Sequence, residues 1–275
     1  MIKAVIFDFG QTLVDSSDGF RKAEKNAQAS IFKDLSITEH DVFKHHYRCI
    51  RKDYHHDSKL SRVKMWEAVY WEYGREAPLD DLREWELDYW QTVEGYTKVF
   101  PEVPDVLTTL STRYDHLAMI TNTQGQADAQ AHRFTSYPDL AALFSVMVVA
   151  GENGVPPKPD AQAFVVCLEQ LGVAADEAVY VGDDWRNDVS GSRDAGLHPV
   201  WLKHHSVSRN YPEVNENAPV ITTLAELPPY LEMTQKRASE RDLRPIARPK
   251  IEVVEVVEFE DDTGLEYPMS LEVMY

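Results

Sequence analysis

The side chains of this sequence that could do chemistry follow short apolar runs. Each run is β-branched or aromatic and too short for a helix, so we interpret it as a buried strand. A hydroxyl and amides can hold the oxygens of an anion, a lysine offsets its charge, and carboxylates bind a hard metal ion. Each residue alone could be a turn or capping residue, but together they predict phosphoryl or similar anionic transfer: Asp8, Thr121, Asn122, Lys158, Asp183 and Asp188.

Strand and helix patterns alternate in the parts of the chain that carry these residues. We predict strands at 3–7, 116–121, 146–149, 178–181, 198–202 and 218–222, and helices at 104–111, 124–134, 160–171, 187–195 and 224–231. This alternation predicts an α/β fold with a doubly wound parallel sheet. Ligands of such sheets bind at the carboxyl ends of the strands, where the candidate residues would lie.

Residues 16–96 interrupt the alternation with four amphipathic helical patterns. Apolar side chains recur at helical spacing in each of them. The patterns run over 18–35, from Thr38 past Tyr54, over 60–73 with a stop at Gly74, and from Pro78 past Tyr89. Four helices inserted after one strand predict a helical subdomain and not a loop.

The composition changes again at Gln235. A charged linker precedes two β-prone runs, 251–259 and 265–275, which an Asp-Asp-Thr-Gly turn separates. This pattern predicts a β-hairpin, and because an isolated hairpin is marginal in water we expect it to join a sheet edge in this subunit or in a second copy. Seven acids and no base between residues 255 and 275 leave a solvated acidic tail as the alternative.

The charge and cysteine content limit the partners. The chain carries 28 Lys and Arg against 46 Asp and Glu, a net charge of −18 that repels nucleic acid and anionic membranes. Cys49 and Cys167 are far apart and form neither a disulfide framework nor a thiolate metal motif. We find no apolar run long enough to span a membrane and no targeting segment. We expect a cytoplasmic protein with a small anionic substrate and no nucleic-acid or membrane partner.

The ordered set of residues resembles the haloacid dehalogenase-like hydrolase superfamily over residues 1–234. The resemblance implies a Rossmann-like core at 1–15 and 97–234, a helical cap at 16–96, and a linker with the hairpin at 235–275. It matches Asp8 to the family's nucleophile, Thr121 to the hydroxyl that binds the transferring group, and Lys158 to the lysine that steadies the charge. It also implies a Mg²⁺ site built from Asp8, the backbone carbonyl of Gly10, Asp183 and Asp188, the last of which orders the lysine or metal-bound water.

The sequence departs from the phosphatases of this superfamily at Gly10, where they carry a second aspartate. That aspartate protonates the leaving oxygen and later activates water, and glycine can do neither. A general acid–base group typically contributes about 10²- to 10⁴-fold in rate. We therefore expect weak hydrolysis of ordinary phosphomonoesters unless Asp15, a cap side chain or a group of the substrate replaces the missing acid.

Other chemistries also lack this aspartate. A halide leaves without a proton, so a dehalogenase in which Asp8 attacks carbon fits, but such enzymes work without a metal, and the retained Asp183 and Asp188 favour metal-dependent phosphoryl transfer. A phosphonatase needs a cap lysine, and nothing distinguishes among its candidates Lys22, Lys25, Lys52, Lys59 and Lys64. A non-catalytic scaffold that binds partners through the acidic hairpin is the rival from another class.

We assign substrate binding to Thr12 and Asn122 in the core and to Arg48 and Arg51 in the cap. The two arginines belong to the stretch 45–64, whose six bases and two acids give a local charge of +4. Such a patch could attract an anionic substrate towards the crevice. A solvated helix face is the alternative.

Overall fold

The computed structural model describes residues 1–126, 132–207, 210–214 and 217–240. Within these residues the central sheet has six strands: β1 Ala4–Phe7, β2 His116–Asn122, β3 Val146–Ala150, β4 Ala178–Gly182, β5 His198–Leu202 and β6 Val220–Ile221. Their order is β3-β2-β1-β4-β5-β6, and every neighbouring pair is parallel. This confirms the predicted doubly wound, Rossmann-like sheet. The strand order reverses at β1, which is where such sheets form a ligand crevice.

Four helices fill residues 17–96: α1 Ser17–Asp34, α2 His40–His56, α3 Arg62–Glu72 and α4 Leu79–Tyr96. All four start within a few residues of the sequence prediction, and α1 and α3, the two whose ends were predicted, also end within a few residues of it. Their apolar faces pack into a core of their own, which includes Tyr47, Trp66 and Tyr70. An antiparallel pair of two-residue strands, Val14–Asp15 and Lys98–Val99, joins the entry of this helical region to its exit.

Helices cover both faces of the sheet: α5 Val103–Ser111, α6 Pro138–Ala141, α7 Ala161–Leu171, α8 Gly191–Asp194 and α9 Leu227–Glu240. Strand β1 is fully buried. Val5 and Phe7 belong to the apolar cluster that includes Leu107 of α5, whereas Ile6 belongs to the cluster that includes Phe164 of α7. A strand covered on both faces needs no alternation with polar residues, which is why β1 is a continuous apolar run.

The helix predicted for residues 124–134 is wrong at both of its described ends. Residues 123–126 have no regular structure and Arg133–Ser136 form a 3₁₀ turn, while 127–131 lie outside the described residues. Gly125 has a φ of 70°, which is incompatible with a right-handed helix, and its backbone lies so close to Leu60 and Ser61 of the helical region that a Cβ would overlap them.

The C-terminal part of the described chain also differs from the prediction. Helix α9 continues to Glu240 and does not end at Leu231. Leu227 and Leu231 are its buried anchors, and the polar residues that follow are good helix formers. The predicted hairpin at 251–275 lies outside the described residues. No helix in the described part of the chain is long and apolar enough to cross a membrane.

Candidate active site

Lys158 lies at the centre of the strand-end residues. Its Nζ donates to Asp8 Oδ1 at 2.8 Å and to Asp188 Oδ1 at 2.7 Å. The Ile120 carbonyl lies 3.0 Å and the Tyr180 hydroxyl 2.8 Å from the same nitrogen. The side chains of all four titratable residues are buried. Two carboxylates therefore neutralise the lysine charge in a site with little water, where the pairing is strong.

The ends of three elements hold this arrangement in place. The Asp8 N–H donates to the Val181 carbonyl at 2.9 Å, which continues the β1–β4 ladder by one residue. Asn122, the last residue of β2, accepts from the Lys158 N–H at 2.8 Å and donates from Nδ2 to the Lys158 carbonyl at 3.3 Å. Asn122 thus fixes the backbone of Lys158, and its predicted contact with substrate stays a prediction.

Burial and neighbouring charges set the protonation states of Asp8 and Lys158. Burial raises the pKa of Asp8 to about 6, while the charge of Lys158 opposes this shift and that of Asp188 adds to it. Burial also lowers the pKa of Lys158, but the carboxylates of Asp188 and Asp8 outweigh that effect and the net shift is upward. At neutral pH the lysine therefore stays charged, and Asp8 is ionised and available as a nucleophile.

The loop after β4 folds Asp188 back against the strand. Asp184 Oδ1 accepts from the Asn187 N–H at 2.7 Å at the start of a π-helical turn, Trp185–Ser190. Asp188 Oδ2 in turn accepts from the Asp184 N–H at 3.0 Å. A Cβ on Gly182 would overlap the Asp188 side chain, so only glycine permits this approach. The predicted helix at 187–195 is therefore a π-helical turn followed by α8.

Three buried carboxylates form a candidate metal centre. Asp8, Asp183 and Asp188 each offer an oxygen within 4.8 Å of the others. Carboxylate oxygens are the ligands that Mg²⁺ prefers, and Lys158 neutralises only part of their charge, so the donor set fits a divalent cation. Both oxygens of Asp188 accept hydrogen bonds, from Lys158 Nζ and from the Asp184 N–H, and the metal-ligand role predicted for Asp188 stays a prediction, as do those of Asp8 and Asp183. The role of the Gly10 carbonyl stays a prediction.

Two hydroxyls are available for an anion. Thr121 follows Ile120 on β2, and its Oγ1 lies 3.5 Å from Nε2 of His132. Thr12 Oγ1 is fully buried and has no hydrogen-bond partner among the described residues. Both observations suit the predicted anion-binding roles, which remain predictions.

Arg133, which was not among the predicted site residues, lies beside the glycine that replaces the second aspartate. Its Nη2 is 2.9 Å from the position that a Cβ on Gly10 would take. Its Nη1 donates to Ser16 Oγ at 3.0 Å, and the guanidinium lies over the rings of Phe9 and Phe20 at 5.4 and 5.1 Å. Arg133 is buried and brings a second cation to this edge of the sheet.

His132 was also missed, because the helix predicted at 124–134 hid both residues. Its Nδ1 accepts from the Phe134 N–H at 3.2 Å, so in the neutral ring Nε2 carries the proton and faces Thr121. Burial lowers the pKa of His132 to about 3, and the charge of Arg133 reinforces this. The imidazole is therefore neutral at physiological pH. His132 and Arg133 follow the end of the second strand by ten and eleven residues and belong to no motif, so the sequence carried no signal for them.

The structure does not bring Arg48 and Arg51 to the strand ends. They line a cavity of about 380 Å³ whose lining comes entirely from α1 and α2. Arg51 is buried, and its Nη1 lies 3.7 Å from Glu24 Oε1. Arg51 thus balances a buried carboxylate inside the helical region. The predicted contacts of both arginines with substrate stay predictions that this geometry does not support.

Comparisons with known proteins add to this geometry. Residues 2–196 match the family model of haloacid dehalogenase-like hydrolases. Phosphoserine phosphatase from Thermus thermophilus is 38% identical over 104 residues, or 38% of this chain and 40% of that protein. Glyceraldehyde 3-phosphate phosphatase from Methanopyrus kandleri is 28% identical over 228 residues, or 80% of this chain and 91% of that protein. The solved HAD-hydrolase YfnB from Bacillus subtilis bound to magnesium has 24% identity and a TM-score of 0.58, over 84% of this chain and 98% of that one, and shows the shared fold.

The match to the Thermus protein spans less than half of that relative, whereas the match to the Methanopyrus protein spans nearly all of it. Both relatives are phosphatases, which supports the prediction of a phosphatase-like hydrolase over that of a scaffold. The family model covers most of the chain, including the strand ends that carry Asp8, Thr121, Lys158 and Asp183. The chain therefore belongs to the haloacid dehalogenase-like hydrolase family.

Proposed function

We propose that this protein is a magnesium-dependent phosphatase of small anionic metabolites in which Asp8 is the nucleophile. The observation that carries the proposal is the buried ion pair between Lys158 Nζ and Asp8 Oδ1 at 2.8 Å, with Asp183 and Asp188 beside it. A carboxylate attacks a phosphate dianion poorly because both are negative. The ammonium lowers this repulsion and holds the attacking oxygen in place.

The chain's own residues account for the nucleophilic attack and for binding of the phosphoryl group. Asp8 attacks phosphorus in line, and the bond to the leaving oxygen breaks to give an aspartyl-phosphate, which water then hydrolyses. The hydroxyls of Thr12 and Thr121 would hold oxygens of the transferring group. Asp8 and Asp183 would hold the Mg²⁺, which supplies positive charge against the phosphoryl oxygens. Asp188 keeps Lys158 pointed at Asp8 through its 2.7 Å hydrogen bond.

We further propose that the helical region is the cap that encloses the substrate. Its α2–α3 loop packs on Gly125, in the loop that follows β2, and Phe20 of α1 packs on Arg133. These contacts place helical-region residues next to the strand ends, where a lid would exclude water.

Hydrolysis of 4-nitrophenyl phosphate tests the proposal, because that leaving group needs little protonation. We expect Mg²⁺-dependent release of nitrophenol that Asp8→Asn and Asp8→Ala abolish, while Asp115→Asn, an exposed control, leaves it unchanged. Trapping of labelled phosphate on the protein checks the covalent step. Full activity in Asp8→Ala would refute the assignment, and so would turnover of 2-chloropropionate without turnover of any phosphate ester, which would instead support the dehalogenase.

A further inference from the structure

Arg133 occupies the place where the second aspartate of a phosphatase would project. Its Nη2 lies 2.9 Å from the Cβ position of residue 10, and residue 10 follows the nucleophile by two. The hydrogen bond from Nη1 to Ser16 Oγ and the packing over Phe9 and Phe20 fix the guanidinium in this position. The side chain is buried, so its charge acts at short range with little screening.

A guanidinium cannot replace an acid. Its pKa exceeds about 12, so it keeps its proton and cannot give one to an alkoxide. It can instead bind and stabilise an oxygen that leaves as an anion, and such electrostatic stabilisation is often the largest single contribution to a rate. His132 next to it faces Thr121 and is uncharged.

We propose that Arg133 is the leaving-group-binding residue and that the site takes phosphoric anhydrides, acyl phosphates above all, whose leaving group departs as a stable anion. This inference rests on the proposed function and specifies its substrate class. Asp8 forms a bond to phosphorus while the bond from phosphorus to the acyl oxygen breaks. The electron pair of that bond stays on the oxygen, which departs as a carboxylate paired with Arg133, and no proton is transferred. Water then splits the aspartyl-phosphate into inorganic phosphate and Asp8, and its proton goes to the phosphate or to solvent.

The ratio of activities on two substrates tests the role of Arg133. We expect the wild type to prefer acetyl phosphate strongly over glycerol 3-phosphate. Arg133→Gln should lower kcat/KM for acetyl phosphate by about 10²- to 10³-fold, the usual loss for one such donor, and glycerol 3-phosphate turnover much less. Arg133→Lys, which keeps the charge, should recover part of the loss. A purely structural role would lower both activities by the same factor, and that result would overturn the proposal.

A second set of variants does not depend on how well Arg133→Gln folds. Among the described residues, a Cβ at residue 10 would meet only Arg133 Nη2, and pairing with the guanidinium would keep an aspartate at this position ionised. Gly10→Asp alone should therefore raise alkyl phosphate hydrolysis little. Gly10→Asp with Arg133→Gln frees the carboxyl group to act as an acid and should exceed Arg133→Gln alone by about 10²- to 10⁴-fold on glycerol 3-phosphate.

Other outcomes would overturn the inference. Equal gains from Gly10→Asp with and without Arg133→Gln would show that Arg133 does not act on this position. Faster turnover of alkyl than of acyl phosphates by the wild type would exclude the substrate class. Chloride release from 2-chloropropionate that requires Arg133, without acetyl phosphate turnover, would show that Arg133 binds a leaving halide and not a leaving carboxylate. If either of the first two outcomes is found together with Asp8-dependent hydrolysis of 4-nitrophenyl phosphate, only the role of Arg133 or the substrate class is wrong, and the proposed phosphatase function stands.

Discussion

Lys158 determines the character of the site because it pairs with two buried carboxylates at once. Without the ammonium, the negative charges of Asp8 and Asp188 would repel each other in a region of low dielectric. Removing one partner from a buried ion pair typically costs about 3–5 kcal/mol. The same interaction therefore supports both the fold of the strand ends and the ionised nucleophile.

We predict that Lys158→Met loses Asp8-dependent hydrolysis and lowers the free energy of unfolding by about 3–5 kcal/mol at pH 7. Urea denaturation followed by circular dichroism measures the loss. The deficit should shrink towards pH 5, where protonation of Asp8 relieves its repulsion from Asp188. Lys3→Met is the matched control, because Lys3 pairs with Glu177 on the surface and should matter far less. Equal stability of Lys158→Met and wild type would contradict the central role of the ion pair.

The pKa of Asp8 gives a test of the metal centre. Burial raises it to about 6 from 3.8, so the folded protein without metal binds this proton more tightly than the unfolded chain does. The contribution of Asp8 to stability is thus greatest below pH 3.8 and falls as the pH rises towards about 6. A cation at Asp8 and Asp183 would favour the ionised form. We predict that Mg²⁺ lowers the pKa of Asp8, measured by carbon NMR of its carboxyl group. Asp183→Asn should weaken that shift, and a pKa insensitive to Mg²⁺ would exclude Asp8 as a ligand.

The sequence was most informative for residues that follow strands. Asp8, Lys158, Asp183 and Asp188 could be grouped because parallel strands end at one edge. Tyr180 could not be recognised, since a tyrosine inside a buried strand is more often core, and only the coordinates show its hydroxyl on Lys158 Nζ. Pairwise geometry of this kind has no local signature in a sequence.

Helices α1 and α4 approach each other closely at Gly19. A Cβ on Gly19 would lie 2.6 Å from the Val93 carbonyl oxygen, whereas one on Gly95 would meet nothing within 4 Å. Gly19→Ala must force the two helices apart, and overpacking of this kind typically costs about 1–3 kcal/mol. Gly95→Ala should instead stabilise by about 0.4–1 kcal/mol, because alanine has less freedom to lose. We expect the thermal unfolding temperature to fall in Gly19→Ala and to rise in Gly95→Ala. A stabilising Gly19→Ala would show that the helices are not in contact.

The elements that could be predicted were those whose pattern agrees with their surroundings. The four helices of residues 17–96 bury one face each, so the spacing of their apolar residues correctly predicted four helices. The segment after β2 has helical composition, yet the contact of Gly125 with the α2–α3 loop overrides it. Helix α9 was predicted too short because its polar continuation looked like a linker. Local propensity thus fails where distant parts of the chain meet.

Residues 241–275 form the acidic C-terminal segment of the chain. All residues of the proposed site lie between Asp8 and Asp188, so residues 241–275 contribute none of the chemistry argued above. We keep the proposal that the hairpin pattern at 251–275 pairs with a second copy of this chain. Such a pairing would bring two segments together that each carry seven acids and no base between residues 255 and 275.

Like charges on facing strands oppose pairing, and salt screens them, with a Debye length that falls from roughly 10 Å at 0.1 M to 3 Å at 1 M. We therefore predict a dimer that strengthens as NaCl rises to about 1 M, measured by light scattering, and a monomer under all conditions when residues 241–275 are deleted. The deleted protein should keep full hydrolysis of 4-nitrophenyl phosphate. A wild-type monomer at every salt concentration would exclude pairing with a second copy and would leave a solvated tail or pairing within the same subunit.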